Sequence, residues 1–155
     1  MTLPANPIVL IPARLGATRL PGKPLLPIAG EPMIVHVWRR ATEAGMGPVV
    51  VATPDPEIVR TIEAVGGQAR LTRPDHESGT DRIAEALAAL DPDGRYDCVI
   101  NLQLASERTR GGLAHYEDER SLRALHGHDT QAFPTVPDAL VVLKVAGRIE
   151  TFCLE

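Results

Sequence analysis

Three short apolar runs and a weaker fourth, interleaved with stretches of helical period, constrain this chain more than any other feature. Ile8-Val9-Leu10-Ile11, Val49-Val50-Val51-Ala52, Ala69-Arg70-Leu71-Thr72 and Asp97-Cys98-Val99-Ile100-Asn101-Leu102 read as strands. A run that is apolar on successive residues buries both of its faces, as strands of a helix-covered parallel sheet do. Between the runs, a helix is expected from near Pro32 to about Ala44. Met33, Val37 and Ala41 recur every fourth residue there, as do Ile34 and Trp38, and Gly45 ends it. Asp55 as N-cap with Pro56 at the first helical position opens a second helix to about Val65, with Ile58, Ile62 and Val65 facing inward. Ser78-Gly79-Thr80-Asp81 resembles a capping box and opens a third helix through Leu90, on which Ile83, Ala86, Leu87 and Leu90 keep helical spacing. The order βαβαβαβ predicts an α/β fold on a mainly parallel sheet.

Composition excludes several classes. Aromatic residues are 3% of the chain, so its core rests on Val, Ile, Leu and Ala. Sixteen Lys and Arg face 20 Asp and Glu, a net charge of -4. With no basic face to release counterions, nucleic acid is not an expected partner. The apolar runs fall far short of the roughly 18 residues that a membrane span needs, so no membrane partner is expected either. Met1-Thr2-Leu3-Pro4 lacks the basic and apolar regions of a signal peptide. Two cysteines, Cys98 and Cys153, make no disulfide framework. The expected compartment is the cytoplasm, with reduced thiols.

The texture changes after Gln103. Residues 104–130 are dense in Arg, Glu, His, Ser and Thr, with a short helix conceivable over 119–125. Residues 139–145 and 149–154 flank Ala146-Gly147-Arg148 as a hairpin. The chain therefore divides into an α/β half over 1–103, a distinct segment over 104–130 and a hairpin region over 131–155. An α/β half that ends at its fourth strand leaves a sheet edge open, so a homodimer or other self-association is expected.

Right-handed crossovers bring the C-terminal ends of parallel strands to one edge, where ligands of such sheets bind. The loops at that edge span 12–24, 53–56 and 73–78, together with whatever follows Gln103. The first carries Arg14, Arg19 and Lys23 within ten residues, with Gly16 and Gly22 allowing close backbone approach. Three cations on a glycine- and proline-shaped loop suit a triphosphate, through planar arginine forks and a mobile lysine charge. By charge alone the same loop also reads as a solvated basic turn. Neither G-x-x-x-x-G-K-[ST] nor G-x-G-x-x-G is present, which disfavours a P-loop or a dinucleotide site. His126-Gly127-His128 sets two imidazoles at a spacing that shares no helix face, and loop solvation accounts for them. Cys98 lies in a buried run without a basic neighbour and reads as a packing residue, and His36 reads the same way.

The pattern is more specific than its charge. Ile11-Pro12-Ala13-Arg14-Leu15-Gly16-Ala17-Thr18-Arg19-Leu20-Pro21-Gly22-Lys23-Pro24-Leu25 resembles the signature loop of the 3-deoxy-manno-octulosonate cytidylyltransferases. Gly30-Glu31-Pro32-Met33-Ile34-Val35-His36-Val37, Arg73-Pro74-Asp75-His76-Glu77-Ser78-Gly79-Thr80-Asp81-Arg82 and Val99-Ile100-Asn101-Leu102-Gln103 resemble the blocks that follow it. The resemblance implies a Rossmann-like, doubly wound sheet of the nucleotide-diphospho-sugar transferase type. It implies a nucleotidyltransferase that moves CMP from CTP to the anomeric hydroxyl of an acidic eight-carbon sugar, releasing pyrophosphate, in lipopolysaccharide precursor synthesis. It implies that the backbone of Pro12, Ala13 and Arg14 lines the nucleotide. Arg14, Arg19 and Lys23 would hold the phosphates, with Arg14 and Lys23 acting in catalysis, and Arg73, Ser78 and Gln103 would position the cytosine end. Taken alone, Ser78 also reads as a helix cap, Arg73 as a surface arginine and Gln103 as a strand end. Asp81 reads as a helix-start charge, and Asp55 and Asp75 as cap or turn residues.

The resemblance also implies Mg²⁺, held in the family by an Asp two residues beyond the Gln. Here that position is Ala105, within Gln103-Leu104-Ala105-Ser106, and alanine offers no oxygen to a hard cation. Glu107 stands two residues further on, a displacement that strand-end coordination rarely tolerates. No metal-ligating residue is therefore assigned.

Overall fold

A computed structural model describes residues 5–16, 21–103, 140–145 and 148–153. Arg19, Ala105, Glu107, the segment 104–130 with its conceivable helix, and His126 and His128 lie outside the described residues.

The elements in chain order are β1 (Pro7–Pro12), a 3-10 turn (Lys23–Leu25), β2 (Pro27–Ile28), β3 (Glu31–Pro32), α1 (Met33–Glu43), β4 (Val49–Thr53), α2 (Pro56–Ala64), β5 (Gln68–Leu71), α3 (Gly79–Leu90), β6 (Cys98–Asn101), β7 (Leu140–Val145) and β8 (Arg148–Cys153). Four of the strands form one sheet in the order β5-β4-β1-β6, all parallel. The chain winds from β1 outward to β4 and β5, then returns through α3 to place β6 on the other side of β1. This is the doubly wound α/β arrangement, and the reversal makes the gap between β1 and β6 the topological switch point. β7 and β8 pair as an antiparallel hairpin, and β7 runs alongside β6.

Alternation along the strands sorts the core into two layers. Val9, Ile11, Val49, Val51, Cys98 and Ile100 face α1 and α2, meeting Ile34, Val35, Ile58 and Ile62. Ile8, Leu10, Val50 and Val99 face the other way, onto Ile83 and Leu87 of α3. Every residue of β4 is buried, as a strand covered on both faces must be. Each fully buried aliphatic side chain contributes about 1.5–3 kcal/mol relative to exposure, so these two layers carry the fold.

The strand and helix expectations hold to within a residue or two, and three details differ. Pro32 is the N-cap of α1 rather than its first turn, because it pairs with Pro27 in a β2–β3 hairpin. That hairpin turns through Ala29 and Gly30, both at positive φ (50° and 86°), a geometry that brings two strands back with the right twist. Val65 is 38% exposed rather than inward, because α2 ends at Ala64 and Val65 lies past its last turn. The side chain of Asp55, at the N-cap of α2, makes no capping bond to that helix.

Candidate functional site

The crevice at the switch point is built from the ends of three elements. Pro12, Ala13 and Arg14 leave β1, with Ala13 N–H donating to the Ala52 carbonyl at 2.9 Å. Leu102 and Gln103 leave β6, with Leu102 N–H donating to Leu10 at 3.0 Å. Gly79 opens α3 between them. A β-carbon on Gly79 would lie 3.2 Å from Pro12 Cγ and 3.4 Å from Gln103 Nε2. Pro12 and Gln103, far from Gly79 in sequence, thus crowd the space that a side chain on Gly79 would need, and the helix start carries N–H groups that favour an anion. Ser78 caps that helix: its Oγ accepts from Asp81 N–H at 3.1 Å and donates to Asp81 Oδ2 at 2.6 Å. The cap and helix-start readings of Ser78 and Asp81 both hold.

The first loop folds back on itself. Gly22 N–H donates to the Leu15 carbonyl at 2.9 Å, with Gly22 at φ 71°. Lys23 then starts the 3-10 turn, half-buried. Arg14 is exposed at the mouth. Asp55 fixes the near side of the loop, its Oδ2 accepting from Leu15 N–H at 2.8 Å, while Asp55 N–H donates to Thr53 Oγ1 at 3.1 Å. Asp55 is thus a loop anchor, a role for which its proline-flanked cap position gave no signal.

The loop over 72–78 is held from α3. Arg82 is 2% exposed, and its Nη1 donates to Thr72 Oγ1 at 2.5 Å and to the Arg73 carbonyl at 2.9 Å. Burial pushes the Arg82 guanidinium below its ordinary value, the positive charge of Arg14 adds to that, and Asp55 opposes it. Glu85 accepts from Arg73 N–H and pairs with His76 Nε2. The His76 hydrogen bond holds the Glu85 carboxyl below the usual carboxylate range, against an opposing effect of burial. Arg73 is exposed, with its Nε 3.3 Å from Asp75 Oδ1. Arg82, Glu85 and His76 had no assigned role in the sequence reading, because their partners lie across a loop-to-helix junction.

Beside the crevice, Asn101 is fully buried on β6, and neither its Nδ2 nor its Oδ1 has a partner among the described residues. His36 is half-buried, with Nε2 2.7 Å from the Ile28 carbonyl, tying α1 to the β2–β3 hairpin. Cys98 is buried, and desolvation pushes its thiol up to about 11. Cys98 matches its expected packing role, whereas His36 acts through a polar tie instead of packing.

The model of one family, described as cytidylyltransferase, matches residues 8–120. The chain belongs to the cytidylyltransferase family. Among curated relatives, the 3-deoxy-manno-octulosonate cytidylyltransferase of Methylobacterium nodulans is 69% identical over 99 residues, 64% of this chain and 40% of that protein. The one from Paramagnetospirillum magneticum is 60% identical over 98 residues. The chain spans about 40% of the length of these cytidylyltransferases. A solved CMP:2-keto-3-deoxy-manno-octonic acid synthetase complexed with CTP superposes at TM-score 0.59 and 41% identity, over 79% of this chain and 48% of that one. A cytidylyltransferase from Leptospira borgpetersenii superposes at TM-score 0.52 and 23% identity, a likeness of fold. The resemblance drawn from the loop motifs and the doubly wound α/β expectation both stand.

Proposed function

We propose that this chain is the nucleotide-holding half of a 3-deoxy-manno-octulosonate cytidylyltransferase and binds CTP in the β1–β6 crevice. The observation that carries the proposal is the meeting of Pro12, Gly79 and Gln103 at the switch point, at the root of a loop bearing Arg14 and Lys23. The backbone of Pro12, Ala13 and Arg14 lines the nucleotide. Arg14, Lys23 and Arg19 neutralise the triphosphate, and Arg73, Ser78 and Gln103 face the cytosine end. In the reaction so served, the anomeric hydroxyl of the acidic eight-carbon sugar attacks the α-phosphorus and pyrophosphate leaves with its electron pair. The contribution of Arg14 and Lys23 is to hold the triphosphate in line and to offset charge as it builds on the leaving oxygens.

A magnesium ion beside a nucleotide takes one or two protein carboxylates plus phosphate oxygens, and this chain has Ala105 where the family carries such an Asp. Among the described residues no three His, Cys, Asp or Glu cluster as ligands. Four carboxylates of the edge loops and α3 have partners of their own: Asp55 with Leu15, Asp75 with Arg73, Asp81 with Ser78 and Glu85 with His76. With Ala105 at the family's aspartate position, a second reading has its own support, namely that the chain binds CTP without turning it over. Calorimetric titration with CTP, paired with a pyrophosphate-release assay on the octulosonate acceptor, separates the two. Binding with release supports the transferase, binding without release the nucleotide-binding module, and no binding overturns both.

A further inference from the structure

Arg73 is held by α3 at both ends of its own backbone. Its N–H donates to the two carboxylate oxygens of Glu85 at 3.3 and 3.2 Å. Its carbonyl accepts from Arg82 Nη1 at 2.9 Å, and the same nitrogen reaches Thr72 Oγ1 at 2.5 Å. Glu85 further engages His76, whose side chain is 9% exposed. Arg82 and Glu85 stand three residues apart and so share a face of α3. Between them they fix the loop at Thr72, Arg73 and His76, just ahead of Ser78 and the Gly79 contact with Pro12 and Gln103.

Arg82 is an expensive residue for this place. It is a buried cation whose hydrogen-bonded partners here are a hydroxyl and a carbonyl, where an apolar side chain of similar length would pack at lower cost. What the guanidinium adds over such a side chain is direction: one nitrogen with two N–H donors that reads two successive residues at once. We propose that Arg82 and Glu85 are positioning residues that clamp residues 72–78 and thereby set the crevice's preference for a cytosine nucleotide. Neither touches the nucleotide; both act through the loop that carries Arg73 and Ser78. The inference deepens the CTP-binding reading and rests on it.

The test uses Glu85→Leu, Glu85→Gln and Arg82→Met in the full chain, with CTP, UTP and inorganic tripolyphosphate as calorimetric probes. Glu85→Leu and Arg82→Met are expected to weaken CTP about tenfold, the size of one lost charge-assisted hydrogen bond. Tripolyphosphate, gripped at the first loop, should change by less than about twofold, as distant sites do. The preference for CTP over UTP therefore shrinks. Glu85→Gln, which keeps an oxygen for Arg73 N–H, should recover most of the loss. Amide exchange at Arg73 and His76 should quicken in Glu85→Leu while β1 and β4 keep their protection. Equal weakening of all three probes, unchanged CTP binding or unchanged exchange at Arg73 each overturn the clamp. If the unaltered chain binds none of the probes, the CTP reading fails, and exchange at Arg73 alone then decides whether α3 orders the loop.

Discussion

Asp55 shows how much a single side chain here depends on where the chain returns. Its position before Pro56 suits a helix cap, yet its carboxylate bonds a backbone N–H forty residues earlier. Asp55→Ala should loosen the first loop, lower stability by about 1 kcal/mol and weaken CTP several-fold, read by thermal melting and calorimetry. Arg14→Ala and Lys23→Ala should each weaken CTP about tenfold or more through lost charge-assisted contacts. Glu31 and Glu85 govern the acid limb. The Arg39 hydrogen bond lowers Glu31 and the His76 hydrogen bond lowers Glu85, each from an ordinary value of 4.5. A depressed carboxyl contributes stability that is fully present above its unfolded value and is lost as pH falls through its folded value. The melting temperature should therefore decline below about pH 4.5, and Glu85→Gln should blunt the fall. Cys98, pushed up to about 11, stays a thiol at neutral pH. Mapped alkylation at pH 8 should leave it unlabelled in the native chain and label it once unfolded.

Elements meet at Gly47 with no room for a side chain. A β-carbon on Gly47 would sit 2.1 Å from the Pro7 carbonyl oxygen, at φ 145°, where the β4 entrance crosses β1. Backbone cannot step aside, so Gly47→Ala should cost about 2 kcal/mol or more in a denaturant melt. The α/β alternation was legible because β1, β4 and β6 bury both faces and so are apolar except for Thr53 and Asn101 at two strand ends, while α1 to α3 keep one apolar side. β2 and β3 were not legible: two-residue strands containing Pro27 and Pro32 carry no alternation to detect. Of the proposed site residues, Arg14, Lys23, Ser78 and Gln103 were suggested by motif and loop position. Arg82, Glu85 and Asp55 did not, since their partners are backbone groups chosen by tertiary return, not by local spacing.

At the scale of the whole molecule, the two sides of the sheet end differently. β7 runs alongside β6, while β5 pairs only with β4 among the described residues and carries Leu71 at 55% exposure. Among the described residues β6 in turn pairs only with β1, so the edge at the end of the α/β half has no hydrogen-bonded neighbour, and β5 forms a second open edge. We expect self-association through that edge: sedimentation at micromolar concentration should show dimers or larger, and Leu71→Lys should shift the population toward monomer. The central pairing of β1 with β6 has a further consequence. Pro7 aligns with Cys98, and the Asp97 carboxylate fastens Ala5 and Asn6, links that span more than ninety residues. During synthesis the first-made strand must wait beside β4 until the ribosome has released the last strand of the sheet. The crevice is therefore the latest part of this half to exist, and a nucleotide entering it would act as a latch on a sheet that is already complete.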